Sequence, residues 1–142
     1  MSLRGTVVLA TLLLGACRDR DPDVGIRAEF GVRYGGDIQD RSTIPLELDT
    51  SKQELGLRVT FPAPLARPRK LRWEFERPST ERAPDGGVLY AAELGETELK
   101  PGERRADAKL NFRKADRPGV FRIRVRVDER VVLERAIQVV AP

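Results

Sequence analysis

Reactive side chains are scarce in this chain, and the commonest catalytic combinations are absent. The sequence contains no histidine, so neither a serine–histidine nor a cysteine–histidine pair can form. None of the serines at positions 42, 51 and 79 lies in a G-x-S-x-G frame. The single cysteine, Cys17, has no partner for an intrachain disulfide. We therefore predict that the protein is not an enzyme.

Patterns for metal and phosphate binding also fail at specific positions. The alternating aspartates of residues 19–23 resemble a calcium loop, but Val24 replaces its glycine and Phe30 replaces its bidentate glutamate. The Gly-Gly pairs at residues 35–36 and 86–87 lack the lysine spacing of a phosphate loop. A lone cysteine cannot build a zinc site. We predict no metal and no cofactor.

Two carboxylates, Glu74 and Glu76, stand two residues apart and would share one face of a strand. Such a pair can serve general acid–base chemistry when the two environments differ. Here Arg72 precedes them on the same face. We interpret the three residues as charge partners on a solvated surface.

A row of three arginines, Arg122, Arg124 and Arg126, would lie on one strand face. One interpretation is an anion-binding face for lipopolysaccharide phosphates, lipid headgroups or an acidic partner. The other is a solvated face whose arginines pair across strands with residues such as Glu134. Because charges of both signs are spread over the whole chain, we favour the second and keep the first as an alternative.

The aromatic residues Trp73, Tyr34 and Tyr90 could form a stacking platform for a carbohydrate if they were exposed together. Each one falls on the apolar side of its own alternating segment. We therefore predict that all three pack in the core, with Trp73 at its centre, and keep carbohydrate binding as an alternative.

The N-terminus carries an export pattern. Residues 1–16 contain one positive charge, Arg4, then an apolar stretch too short to span a bilayer, then small residues. The sequence Leu14-Gly15-Ala16-Cys17 resembles the lipobox of bacterial lipoproteins. The resemblance implies cleavage between Ala16 and Cys17 and a covalent lipid on Cys17, which would anchor the mature chain to a membrane. Arg18 is not the aspartate of inner-membrane retention, so we expect the outer membrane, facing the periplasm.

The expected organisation is a signal peptide over residues 1–16, a lipidated flexible tether over residues 17–25 and one domain over residues 26–142. The formal net charge of the whole chain is +4, and loss of Arg4 with the signal leaves +3. That excess is too small to predict a nucleic-acid partner.

The clearest strand pattern covers residues 120–127, where four apolar side chains alternate with the arginine row: Phe121, Ile123, Val125 and Val127. A second β-rich run at residues 131–140 follows a short break and predicts a closing β-hairpin. Arg135 shares the apolar face of that run. We expect it to snorkel at the edge of the core, the alternative being a bulge near Glu134.

Earlier segments alternate in the same way and predict strands at residues 26–34, 44–49, 55–61, 71–76, 88–92 and 108–113. Pro45 places the second of these at a sheet edge because proline cannot donate to a ladder. Residues 78–87 predict a loop, since they contain Pro-Asp-Gly-Gly. Residues 93–99 are ambiguous and allow helical turns.

These segments predict an all-β, immunoglobulin-like antiparallel β-sandwich of about seven to eight strands. The order of signals resembles the immunoglobulin-like and fibronectin-III-like superfamily: a central Trp73 strand, a Lys-Pro-Gly turn at residues 100–102, and Pro118-Gly119 before the closing hairpin. The antibody-type disulfide is missing, so the resemblance is to the general sandwich. The fold itself implies no reaction.

The sequence therefore favours a non-catalytic envelope module that binds another envelope protein. Expected contact surfaces are an exposed sheet edge and the segments at residues 62–68 and 78–87. A barrel carrying a lipophilic ligand is the remaining alternative, and the large side chains of Phe30, Phe75 and Phe121 argue for a filled interior instead.

Overall fold

The computed structural model describes residues 23–142. The predicted signal peptide, the cleavage point at Ala16 and the lipidation site at Cys17 lie outside the described residues. So does the tether up to residue 22.

The described chain folds into nine strands and no helix. Their bounds are β1 Arg27–Tyr34, β2 Asp37–Asp40, β3 Thr43–Pro45, β4 Glu54–Thr60, β5 Arg69–Arg82, β6 Val88–Leu99, β7 Arg105–Leu110, β8 Gly119–Val127 and β9 Arg130–Val140. The alternating sequence segments account for most of them, because a strand with one apolar face must bury that face against another layer.

The strands form two sheets, one in the order β2-β1-β4-β7 and one in the order β3-β9-β8-β5-β6. The order β1-β4-β7 corresponds to strands A-B-E of an immunoglobulin sandwich, and β9-β8-β5-β6 corresponds to G-F-C-C′. The predicted immunoglobulin-like β-sandwich is therefore confirmed. Its two separate sheets do not support the barrel that a lipophilic-ligand carrier would need.

Two details of the predicted sandwich were wrong. There are nine strands, because β2 and β3 divide the segment between β1 and β4. The sheets are not wholly antiparallel, since β3 pairs with β9 in parallel, Ile44 opposite Val139. The chain reverses after β2, so β3 runs in the same direction as β9. Pro45 does lie on an edge strand, as predicted.

Buried side chains of both sheets fill the space between them. The four apolar residues of β8 that alternate with the arginine row are fully buried, as their alternation predicts. The ring of Phe75 lies between the rings of Phe30 and Phe121, with both centroid distances at 5.5 Å. Offset aromatic contacts of this kind add to the hydrophobic stabilisation of the core. Phe30 belongs to the first sheet and Phe75 to the second, so this contact joins the two layers.

The hairpin of β5 and β6 is longer than predicted. Residues 78–82 continue β5 and are not part of a loop, and residues 93–99 are β-strand with no helical turn. Their ladder runs from Arg69–Leu99 to Pro78–Tyr90 and resumes at Arg82–Val88 after an irregularity. Pairing with β6 thus overrides the turn tendency of residues 78–82, and the turn itself is confined to residues 83–87.

Arg135 snorkels, as predicted. Its Nη2 donates to the backbone oxygen of Phe30 at 2.7 Å and lies 2.5 Å from a carboxylate oxygen of Asp40. The side chain therefore reaches from the second sheet to the first while its charge stays paired. A bulge also exists in this strand, but at Val132, where the β8–β9 register shifts.

Arg69 ties the start of the described chain to the closing hairpin. Its guanidinium, 8% exposed, lies 2.5 Å from Asp23 Oδ1 and donates through Nε to Asp128 Oδ2 at 2.8 Å. Burial opposes ionisation of Asp128, but donation by Arg69 and by the Lys70 N–H holds the pKa of that carboxyl below its usual range. Asp23, which belongs to the predicted tether, is thus held against the domain.

Candidate functional site

The arginine row lies on the outer face of the second sheet, and each guanidinium has a carboxylate beside it. The pairs are Arg122–Glu76 at 3.7 Å, Arg124–Glu134 at 2.9 Å and Arg126–Glu74 at 3.5 Å. Donation by Arg124 holds the pKa of the Glu134 carboxyl below its usual range. This face is a mixed-charge ion-pair network, so it offers little uncompensated positive charge to an anion.

The three aromatics lie in different places. Trp73 points inward, but it is only partly buried and packs against the core, so its predicted place at the centre is wrong. The missing side chain of Gly95 leaves room for its indole. Tyr34 is 54% exposed, so its predicted core position is wrong; it ends β1 beside the turn at residues 35–36. Tyr90 is also misplaced by the prediction, because it lies under the Arg122 guanidinium, 4.4 Å from Cζ to the ring centroid. They form no common stacking surface.

Tyr90 belongs to a set of apolar side chains that β6 presents to solvent. Residues 88–92 form a continuous apolar run, and most of the apolar residues of β6 face solvent, the exception being the buried Leu99. Leu94 is 72% exposed and Val88 is 47% exposed. Leu94 pairs with Glu74 and Tyr90 pairs with Pro78, both on the outward face of β5. An apolar strand sequence does not say whether another layer covers it, so the sequence alone does not predict this exposed apolar stripe.

β6 is also the last strand of its sheet. It pairs with β5 on one side, and no described strand pairs with its other side. The strand is 12 residues long. Its charged residues are Glu93, Glu96 and Glu98, and it contains neither proline, lysine nor arginine. A long open edge without such residues is a template for pairing with another chain.

The other edge strands are better protected. β3 is three residues long and contains proline, and β2 is four residues long. β7 carries alternating charges along its exposed face, with Arg105, Asp107 and Lys109. Short or charged edges discourage strand addition. β6 is therefore the edge best suited to accept an added strand among those described.

The two segments predicted as contact surfaces differ in character. The segment at residues 62–68 is anchored: the Leu65 N–H donates to Glu103 O and the Gly102 N–H donates to Leu65 O, each at 2.8 Å. The segment at residues 78–87 forms the far end of the β5–β6 hairpin and borders a cleft with residues 117–120. Only the second lies beside the open edge.

Sequence reasoning missed a buried ion pair at this end of the sandwich. Arg77 Nη1 donates to Asp116 Oδ2 at 2.6 Å, and both side chains are about 5% exposed or less. The same carboxylate accepts from the Arg113 N–H at 2.7 Å, and Arg77 also contacts Glu93. Arg77 continues the inward alternation of Leu71, Trp73 and Phe75, which was the available signal. The pair closes the core and has no reactive partner.

Within residues 23–142, no group of three or more acidic or cysteine side chains is placed to hold a metal ion. The same residues include no helix that is long and apolar enough to cross a membrane.

No protein-family model matches the chain, and no curated protein matches it. Among solved structures, it is similar to an immunoglobulin-like protein from Pseudomonas aeruginosa, at 20% identity and a TM-score of 0.49, over 81% of this chain and 96% of that one. It is also similar to the alkylpurine DNA glycosylase AlkC of Pseudomonas fluorescens, solved with DNA containing an abasic site analogue, at 14% identity and a TM-score of 0.41, over 82% of this chain and 30% of that one. Nothing about function follows from either similarity.

Proposed function

We propose that this chain is a lipid-anchored, non-catalytic module of the bacterial cell envelope that docks an envelope protein by strand addition along β6. The observation that carries the proposal is the open edge of β6 together with its solvent-facing apolar stripe. Main-chain hydrogen bonds along the edge would supply affinity, and contacts with Leu94 and its neighbours would supply specificity.

The anchor part of the proposal rests on the lipobox-like sequence ending at Cys17. Only five residues lie between Cys17 and Asp23, so the six extended steps that link them span at most about 22 Å. Because Arg69 holds Asp23 at one end of the sandwich, that end would lie near the membrane. The turn at residues 83–87 is at the opposite end of the β5–β6 hairpin, so β6 would run from that far end back toward the membrane and present its edge to the periplasm.

Strand addition fits the surface better than anion binding does. The arginine row is matched by Glu74, Glu76 and Glu134, so binding of an anionic polymer there would first have to displace these carboxylates. Docking through β6 depends on backbone hydrogen bonds and apolar contact. We therefore expect the contribution of the β6 edge to partner capture to change little with ionic strength.

A photo-crosslinking amino acid placed at Leu94 tests the proposal in cells. We expect benzoylphenylalanine at this position to give one major protein adduct, whose crosslinked peptide maps to an extended segment of the partner. The matched control is the same amino acid at Lys109, which is exposed on the outer face of the other sheet. Adduct yield at Lys109 should be at background.

The same experiment in a Cys17→Ser background tests the anchor. Without the thiol no lipid can be attached, so we expect the chain to leave the membrane fraction and the Leu94 adduct to fall because the local concentration falls. Equal adduct yields at Leu94 and Lys109 would contradict the docking edge. A Cys17→Ser chain that stays in the membrane fraction would contradict the anchor.

A further inference from the structure

The ladder between β5 and β8 ends before either strand does. Its last pair is Glu76 with Arg122, although β5 continues to Arg82 and β8 begins at Gly119. Continuing the register would place Pro78 opposite Val120. The ladder is not continued at Pro78, which has no N–H to donate. Beyond the last pair, residues of β5, β6 and β8 line a cleft of about 450 Å³.

The cleft has both apolar and polar walls, and the hydroxyls of Ser79 and Thr80 belong to the polar part. Pro78 and Val88 line one side, Pro118 and Val120 line the other, and Tyr90 contributes its ring. Val88 is 47% exposed and Val120 is 38% exposed, so both lose water contact if a side chain enters.

The charge of the cleft is unlike that of the neighbouring arginine row. Arg82 and Arg117 line it, and no carboxylate does among the described residues. Arg82 has no ion-pair partner in the described part of the chain, and Arg117 donates only to a backbone oxygen, that of Asp116, at 3.0 Å. In contrast, the groove over the arginine row contains three glutamates against three arginines. The cleft therefore keeps positive charge that the rest of this face has neutralised.

We propose that this cleft binds an extended acidic peptide segment of the partner protein. An extended chain is favoured because the cleft lies between two strand edges, whose backbone groups are not paired with each other. Acidic side chains would reach Arg82 and Arg117, and an apolar side chain between them would contact Val88 and Val120. The inference rests on the proposed docking function, but it assigns the charge of the partner and a second contact point.

Selection from a displayed library of random linear peptides on the mature chain, purified from the host envelope, tests the inference. We expect the enriched peptides to contain more aspartate and glutamate than the unselected library. Arg82→Glu/Arg117→Glu should weaken binding of the enriched peptides by at least about tenfold, measured by fluorescence anisotropy. The matched control, Lys100→Glu/Lys109→Glu, changes the net charge equally at exposed positions outside the cleft.

The inference is overturned if no peptide is enriched, if the enriched peptides are uncharged, or if both double variants lose binding equally. The Leu94 crosslink separates this inference from the docking edge. If the adduct at Leu94 persists while the cleft shows no acidic preference, the edge stands and the cleft assignment fails. If acidic peptides bind at the cleft while Leu94 gives no adduct, the cleft assignment stands and the docking edge fails.

Discussion

Replacing Arg77 by methionine is expected to lower the free energy of unfolding by about 3–5 kcal/mol, because it leaves Asp116 buried without its cation. Both side chains are almost fully enclosed, at 5% and 4% exposure, so water cannot take over the role of the guanidinium. The remaining contact of the carboxylate, the Arg113 N–H, satisfies only part of its hydrogen-bonding capacity. Urea unfolding at neutral pH measures the loss.

Two further variants separate a buried charge effect from loss of packing. Arg72→Met removes an arginine whose side chain is 43% exposed and paired with a half-exposed glutamate, so the loss should stay below about 1 kcal/mol. Arg77→Met/Asp116→Leu replaces the buried pair by apolar side chains and should recover most of the stability lost in Arg77→Met. An Arg77→Met protein as stable as Arg72→Met would contradict the described geometry.

Replacing Gly95 by valine should destabilise the domain by about 1–3 kcal/mol, through crowding against Trp73. A Cβ at this position would lie 2.0 Å from Cε2 of the indole, so the ring must move. On an unobstructed strand the same change would be stabilising, since valine has a higher β-propensity than glycine. The sign of the effect therefore reports on the indole position.

Trp73 is the only tryptophan, so its emission reports on the same displacement. We expect Gly95→Val to shift the fluorescence maximum to the red as the ring becomes more exposed. In a Trp73→Ala background the cost of Gly95→Val should vanish, because nothing then occupies the space. Unchanged stability together with unchanged emission in the single variant would show that the indole lies elsewhere.

Two-residue alternation predicted the layers of this protein well where one face of a strand is charged and the other apolar. In β8 the arginines exclude one face from the core, so the burial of Phe121, Ile123 and Val125 followed directly. The closing hairpin and the edge position of Pro45 followed from equally local chemistry. The parallel pairing of β3 did not, because it depends on where the chain lies after β2.

The candidate site was less predictable, because it depends on which surfaces stay uncovered. The apolar residues at the start of β6 resemble a buried strand in the sequence, and only their exposure in the folded chain shows that no layer covers them. Pro78 predicted a loop, yet it pairs with Tyr90 in the β5–β6 ladder. The β5–β8 ladder ends two residues before it, at Glu76. The burial of Arg77 was not predictable, because a charged residue is rarely buried unless it is paired. Its partner, Asp116, lies 39 residues away in the sequence.

The central claim is that β6 presents an unpaired edge, and residue-resolved amide hydrogen exchange of the free protein tests it most directly. In an edge strand, every second amide points away from the neighbouring strand and has no backbone acceptor. We predict fast exchange at alternate residues of β6 and slow exchange throughout residues 122–127 of β8, which has a strand on both sides. Uniform protection of β6, equal to that of β8, would mean that the edge is already covered and would contradict the proposed docking surface.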